Sequence, residues 1–435
     1  MNNVRRGTLS IVILTALVVL GLGFAWQQAK RETSQKPKWE RVTAEEARRI
    51  LMENPELLSP EHPYSDFFIR LSEIGVVGIW KEMLADSDPK VRIRALREVT
   101  PEVLSAETAV PAIEPLLEDE SGRVRFEAAM ALLRFGSDRG AQALINQLKD
   151  PEGRMVAASL RALIRYHRRE SVPVIRELFK QALDQLRAGN NEAYPAWAMY
   201  RLAEAIGVFE DHKSSPLFVR YFRLRSADAL QRFDHIMVEA ASRLADEQLE
   251  GVLREIFDQS EDLKVKLAAA LGLAKLGDES ALTFLMDQAA LLRGAPKHML
   301  TRPEVEGTVR NPAFTAWSRG KPSFGALIQA VMYLGELKAV RAIPLLTDLA
   351  SSDNIPVVQA VVKSLALLGD RRVVPVLVKL TNPAHPLRYY AARALLFFDD
   401  PEAERAVRRL YKDASERARL KQEAQQLGPA EFLRQ

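Results

Sequence analysis

The chain has 435 residues, 47% of them hydrophobic and 27% charged, with a formal net charge of +4. Those proportions are those of an ordinary folded protein, and so small a positive charge does not point to a nucleic-acid partner. The absence of cysteine excludes a thiolate zinc site, an iron-sulfur cluster and a cysteine nucleophile.

Residues 1–7 form a short basic tail carrying Arg5 and Arg6. Thr8 to Trp26 then runs for 19 residues without a charge, long enough to cross a bilayer of about 30 Å as a helix. Residues 8–26 are therefore expected to be a single-pass transmembrane signal anchor, with Trp26 at the interface. Gly23-Phe24-Ala25 has the small-x-small form of a cleavage site, but the apolar run is longer than a signal-peptide core, which favours an uncleaved anchor. The flanking charges conflict over orientation. Lys30, Arg31, Lys36, Lys38 and Arg41 would hold the downstream domain in the cytoplasm, whereas a short basic tail ahead of an apolar run is the layout of export, and long domains translocate largely regardless of charge. The second reading is preferred: a protein of the inner membrane whose main domain is periplasmic, or otherwise outside the cytoplasm.

Residues 27–42 are polar and read as a linker. Residues 43–74 are expected to form an N-terminal helical cap. Thr43 and Glu46 have capping-box spacing and Ala47, Ile50 and Leu51 supply an apolar stripe, with a stop near Asn54-Pro55.

From 75 to 412 one pattern recurs. Asp119 to Phe135, DESGRVRFEAAMALLRF, is echoed at Asp88 to Val99, Arg154 to Ile164, Asp262 to Asp278, Ile355 to Asp370 and His385 to Asp400. Ala131 and Leu132 recur 31 residues on as Ala162 and Leu163. A fixed period of this size signals a stacked array. Beside each Ala-rich segment stands a second apolar one, often with an early proline, as in Arg341 to Leu349 and Val373 to Leu380, where Pro344 and Pro375 are 31 apart. Proline is tolerated in the first helical turn, so each unit reads as two helices. Small residues such as Ala268, Ala269 and Gly272 permit close approach of neighbours, and Gly136, Gly277, Gly335 and Gly369 are placed as left-handed C-caps.

At this point the chain resembles the HEAT-like repeats of phycobilisome lyases and of many bacterial scaffolding proteins. The carrying residues are Asp88, Val91, Arg92 and Ala95 in one unit and Val124, Arg125, Ala128 and Leu132 in the next. Lys266 and Gln359 depart from the pattern at the arginine position, and Ala193 to Gly207 keeps only its Ala-Leu core. The resemblance implies an all-α fold, a right-handed, armadillo-like α-solenoid of stacked helix pairs. It also implies that the recurrent Asp and Arg bond within and between loops as a ladder.

Three stretches stand apart. Arg154 to Arg187 holds eight basic residues against three acidic ones, and Lys213 to Arg232 five against one. Arg161, Arg165, Arg168, Arg220 and Arg223 are the candidates there for contact with an acidic protein, anionic lipid or polyanion. The repeat then breaks at 293–324, where prolines and glycines exclude a long helix and no helical period is present. Phe314, Trp317 and Phe324 alternate with Arg310, Arg319 and Lys321, the composition of a loop that packs and binds. Residues 413–435 read as a charged C-terminal helix and tail, with Gly428 to Gln435 expected to be frayed.

Candidate chemistry is sparse. The histidines at 62, 167, 212, 235, 298 and 385 include no i, i+4 pair and no His-Glu dipeptide, so the iron chemistry of HEAT-repeat deoxyhypusine hydroxylases is not expected. Asp234 and His235 are adjacent, and adjacent helical residues do not face each other. No phosphate-cradling glycine loop or Gly-x-Ser-x-Gly elbow is present. The expectation is a membrane-tethered scaffold without catalytic residues, metal or cofactor, which binds a protein partner and reaches the membrane through 8–26. The alternatives are a phycobilin-lyase type enzyme or chaperone acting on a client protein, and a module for polyanions or anionic lipid.

Overall fold

In a computed structural model the described residues are 40, 43–53, 65–101, 103–149, 155–188, 196–224, 234–296, 299–300, 309–310 and 312–433. The apolar run 8–26 and nearly all of the 27–42 linker lie outside them. Among the described residues no helix is long and apolar enough to cross a membrane. The chain divides into two compact units, Met1–Lys149 and Asp150–Gln435.

The first unit contains α1 (Ala44–Glu53), α2 (Ser65–Leu84), α3 (Pro89–Glu98), α4 (Ala106–Ile113), α5 (Gly122–Arg134) and α6 (Asp138–Gln147). The Thr43 hydroxyl accepts from Glu46 N at 3.2 Å, opening α1 as its spacing requires. Gly75, at φ 69°, breaks α2 in two. Asp88 caps α3 by accepting from Lys90 N at 2.8 Å, and Pro89 fills the first helical position. Trp80, Leu96, Ile113, Ala128 and Leu132 are all buried in one core, and Trp80 Nε1 donates to Ala95 O at 3.0 Å. Full burial of each large side chain contributes about 1.5–3 kcal/mol.

The second unit runs α7 (Val156–Arg165), α8 (Val172–Arg187), α9 (Ala196–Val208), α10 (Ser215–Leu224), α11 (Asp234–Leu244), α12 (Glu250–Gln259), α13 (Leu263–Lys275) and α14 (Glu279–Ala290). A short pair, β1 (Met299–Leu300) and β2 (Val309–Arg310), precedes α15 (Pro312–Ser318) and α16 (Phe324–Glu336). Then come α17 (Ile343–Leu349), α18 (Ile355–Leu368), α19 (Val374–Leu380), α20 (Arg388–Leu395), α21 (Pro401–Leu410) and α22 (Ala414–Phe432). The Ala-rich helices α7, α9, α11, α13, α16, α18 and α20 pack side by side in that order as one layer. Helices α8, α10, α12, α14, α17 and α19 back them as a second.

Small residues set the spacing of the first layer. A Cβ added at Gly207 would come within 2.7 Å of Ala240 Cα, one at Gly272 within 2.9 Å of Ser242 Cα, and one at Gly335 within 2.5 Å of Ser364 Cα. Two of these crossings are locked alike: the Ser242 hydroxyl donates to Ala268 O at 2.7 Å and the Ser364 hydroxyl to Val331 O at 2.6 Å. In each case the accepting carbonyl lies four residues before the glycine, one helical turn away. Gly335 is thus not the C-cap its position suggested. It lies inside α16, and Lys338, at φ 50°, takes the left-handed cap.

The same substitution recurs. Gly136, Gly277 and Gly369 do cap with positive φ, but His167, Glu210 and Ala245 occupy equivalent places at φ 50°, 52° and 49°. A left-handed non-glycine residue costs about 1–2 kcal/mol. At three of these turns the next amide closes a Schellman bond that offsets the cost: Arg168 N to Leu163 O at 2.9 Å, Asp211 N to Ile206 O at 3.1 Å and Ala339 N to Leu334 O at 3.0 Å.

The Asp-Arg ladder is present. Arg92 spans to Asp119 through Nε at 2.8 Å and Nη2 at 2.9 Å, and its Nη1 donates to Asp86 O at 2.6 Å. Arg125 Nη1 binds Asp119 O at 2.8 Å, and in the second unit Arg176 and Asp211 form a two-pronged pair at 2.7 and 2.6 Å. Partial burial opposes ionisation of Asp119, yet the Arg92 guanidinium and the Ser121 N–H hold its carboxyl below the usual range. Asp88 serves as a cap rather than as a rung.

Candidate protein-binding site

The described residues of the interruption after α14 include regular structure. Met299 pairs with Arg310 and Leu300 with Val309 in a two-residue antiparallel ladder, and Pro312 to Ser318 forms the helix α15. The sequence shows no helical period here and excludes a long helix, and the helix that does form has only 7 residues. Pro312 stands at the first helical position, where its missing N–H is harmless, and Phe314 and Trp317, three residues apart, share one helix face.

That face is a small core. Phe314 is 1% exposed, and its ring centroid lies 5.5 Å from Trp317 and 5.2 Å from Phe324, with Trp317 and Phe324 6.3 Å apart. Lys321 Nζ sits 3.9 Å from the centre of the Trp317 ring and donates to Leu291 O at 2.9 Å. Burial pulls the Lys321 pKa down. Trp317 Nε1 donates to Arg293 O at 3.1 Å. Phe314 and Lys321, put forward as partner contacts, are therefore committed to fixing the insertion on the α14 and α16 ends.

Beside this core lies an open cleft of about 400 Å³ lined by Arg293 to Pro296, Asp348, Leu349 and Ser351 to Asp353. Arg293 Nε pairs with Asp348 Oδ2 at 2.8 Å across its mouth, both side chains more than half exposed. The Ser352 hydroxyl donates to Ala295 O at 3.1 Å and Asn354 Nδ2 to Pro296 O at 2.6 Å, tying the start of the insertion to the turn before α18. The result is a fixed rim bearing Arg293, Asp348 and Asp353, and Arg319, just after α15, is exposed. The side chain of Arg310 lies outside the described set. The cleft holds charge and main-chain groups, which suit it to recognition of a polar chain segment.

The other proposed cations do not form one patch. Arg161 and Arg165 are on α7, in the Ala-rich layer, whereas Arg220 and Arg223 lie on α10, in the other. Arg168 pairs with Glu170 at 2.6 Å and Arg220 with Asp184 at 2.6 Å. Among the described residues no cluster of three or more His, Asp or Glu is placed to hold a metal ion.

One charged cluster escaped the sequence reading. Arg243 on α11 meets Glu239 at 2.5 Å and Glu336 on α16 at 3.2 Å, while Lys275 on α13 reaches Glu336 at 3.1 Å. Burial opposes ionisation of Glu336, but the two cations hold its carboxyl below the ordinary range. Tyr333 beneath is fully buried, and burial together with Glu239 raises its pKa. Charges in the last turns of neighbouring Ala-rich helices were the available signal.

Stacked two-helix units with interlocked small residues and an Asp-Arg ladder define a repeat protein of the α-solenoid class. The chain contains HEAT repeats: residues 79–164 and 311–395 match the model for them. Among solved structures it is similar to the complex of CpcE and CpcF of phycocyanin lyase from Nostoc sp. PCC7120, with 15% identity and a TM-score of 0.44, covering 64% of this chain and 92% of that one. A search of curated proteins gave no match.

Proposed function

We propose that the protein is a scaffold without catalytic activity of its own, tethered to the inner membrane through 8–26 with its repeats outside the cytoplasm, that binds another protein through the rim of the 293–324 insertion. The observation that carries this reading is the use of Phe314, Trp317 and Lys321 to fix α15 beside Arg293, which leaves Arg293 and Asp348 on a prepared surface at the break in the repeat, with Arg319 exposed just after α15. A surface already ordered loses little conformational freedom on binding. The tether would raise the local concentration of a membrane-associated partner.

Co-purification of the full-length protein from membranes, with the partner identified, tests the reading. Arg319→Glu should weaken that complex by about 30-fold, the loss of an anchor worth about 2 kcal/mol, with the melting temperature unchanged. Unchanged binding in both Arg319→Glu and Arg293→Glu would remove the rim from the site. A reporter fused after Gln435 that works only outside the cytoplasm should be active. Visible absorbance of the purified chain would point instead to a pigment-handling enzyme.

A further inference from the structure

As far as Leu433 the C-terminal segment is not frayed, and its docking has the features of ligand recognition. Helix α22 opens like a repeat helix: Asp413 accepts from Ser415 N at 2.7 Å, and Arg417 Nη1 donates to Tyr411 O at 2.7 Å and Lys412 O at 2.8 Å, repeating the bonds of Arg92 and Arg125 to the carbonyls six and five residues earlier. Leu420 and Ala424 are buried, and the helix packs against α18. At Gly428, with φ 68° and ψ 167°, the backbone leaves the helical path, and Pro429 comes next. Glycine alone adopts that conformation freely, so the break is a hinge written into the sequence.

Beyond the hinge, Phe432 is 0% and Leu433 3% exposed. The Phe432 ring meets Phe397 edge to face with centroids 5.7 Å apart, and the Arg393 guanidinium lies 4.2 Å from its centre. Arg393 Nη2 also donates to Phe432 O at 2.6 Å, and the Tyr390 hydroxyl donates to Leu433 O at 2.9 Å. Just before the hinge, Leu427 O lies 3.4 Å from Nε2 of His167, in the turn after α7. The segment thus joins the first helix of the unit to the seventh of its layer.

A chain end that merely covers apolar surface needs only side-chain burial. Here two anchors fill a seat while two long polar side chains bind the consecutive carbonyls that close a helical turn, in which Leu433 N donates to Pro429 O at 3.2 Å, so that the side chains give specificity and the main chain gives orientation. We propose that Tyr390, Arg393 and Phe397 form a peptide-binding site for a short helical turn ending in an aromatic-leucine pair, occupied in cis by Phe432-Leu433 and open to a partner protein's segment of that kind when the tail swings out at Gly428. The tail, held at high effective concentration, acts as the built-in competitor. This site is separate from the 293–324 rim, and either can fail without the other.

The test uses the full-length chain and a fluorescently labelled peptide of residues 428–435. Phe432→Glu should empty the seat, and Phe432→Ala should do so more gently, with circular dichroism confirming that the repeats remain folded. Anisotropy should show the peptide binding these variants at least tenfold more tightly than the unaltered chain, and adding Arg393→Ala to Phe432→Ala should abolish that binding. The proposal is overturned if no folded variant binds the peptide, if the unaltered chain binds it equally well, or if binding survives the loss of Arg393.

Discussion

Replacing Gly335 with alanine tests the packing of the Ala-rich layer by the sign of its effect. In a helix with free space beside it, Gly→Ala stabilises by up to about 1 kcal/mol, because glycine loses more backbone entropy on folding. At Gly335 the new methyl would stand 2.5 Å from Ser364 Cα, 2.8 Å from its Cβ and 2.9 Å from its carbonyl oxygen. Two of those three atoms belong to the α18 backbone, so the helix itself has to move. Overpacking of this kind costs about 1–3 kcal/mol. The shift also stretches the bond from the Ser364 hydroxyl to Val331 O, worth about 1 kcal/mol. Net destabilisation of about 1–3 kcal/mol is expected, opposite in sign to the propensity effect. Gly251→Ala in α12, where an added Cβ meets nothing within 4 Å, is the control and should be neutral or stabilising. Thermal melts of the full-length chain, with amide hydrogen exchange over 324–368 to catch opening confined to neighbouring repeats, provide the measurement. A Gly335→Ala protein that melts at or above the parent temperature, as Gly251→Ala should, would refute the close crossing of α16 and α18.

Other outcomes rest on the same contacts. Trp317→Ala should lower the melting temperature, by the equivalent of about 2–4 kcal/mol, because its ring closes the Phe314 and Phe324 cluster; an unchanged melt would return Trp317 to the binding surface. Asp211 should govern part of the acid limb of stability. Burial opposes its charge, but Arg176 and the Ser214 hydroxyl depress its pKa below the unfolded value of about 3.9. Its stabilising contribution is therefore present above about pH 4 and is lost as pH falls through the folded value. Asp211→Asn should be less stable than the parent at neutral pH and converge with it in acid, and parallel pH-stability curves would contradict the pairing. Glu336→Gln should destabilise by about 1–3 kcal/mol by leaving Arg243 and Lys275 facing each other with one carboxylate fewer. Denaturant midpoints unchanged by that substitution would show the cluster to be solvated.

What the amino-acid order determined by itself is local. The stripe of Ala128, Ala131 and Leu132, each 0% exposed, was legible because helical periodicity places those residues on one face whatever they meet. The caps at Thr43 and Asp88 and the left-handed turns at Gly136, Gly277 and Gly369 were legible because each is a property of a few consecutive residues. Tertiary structure decided the rest. His167 and Lys338 carry no glycine, and only the folded turn around them enforces positive φ. Gly335 reads the same as a cap or as a crossing until Ser364 arrives against it. The aromatic residues of the insertion have a binding composition, and they became a small core because Leu291 and Arg293 present carbonyls to Lys321 and Trp317. Phe432 and Leu433, at the end of a charged helix, look frayed until Tyr390 and Arg393, about 40 residues earlier, take their carbonyls. A pattern of residues fixes which face of a segment is apolar. Which distant groups that face finds depends on how the helices are stacked, and hydrogen-bond partners separated by tens of residues leave no periodic trace in the chain.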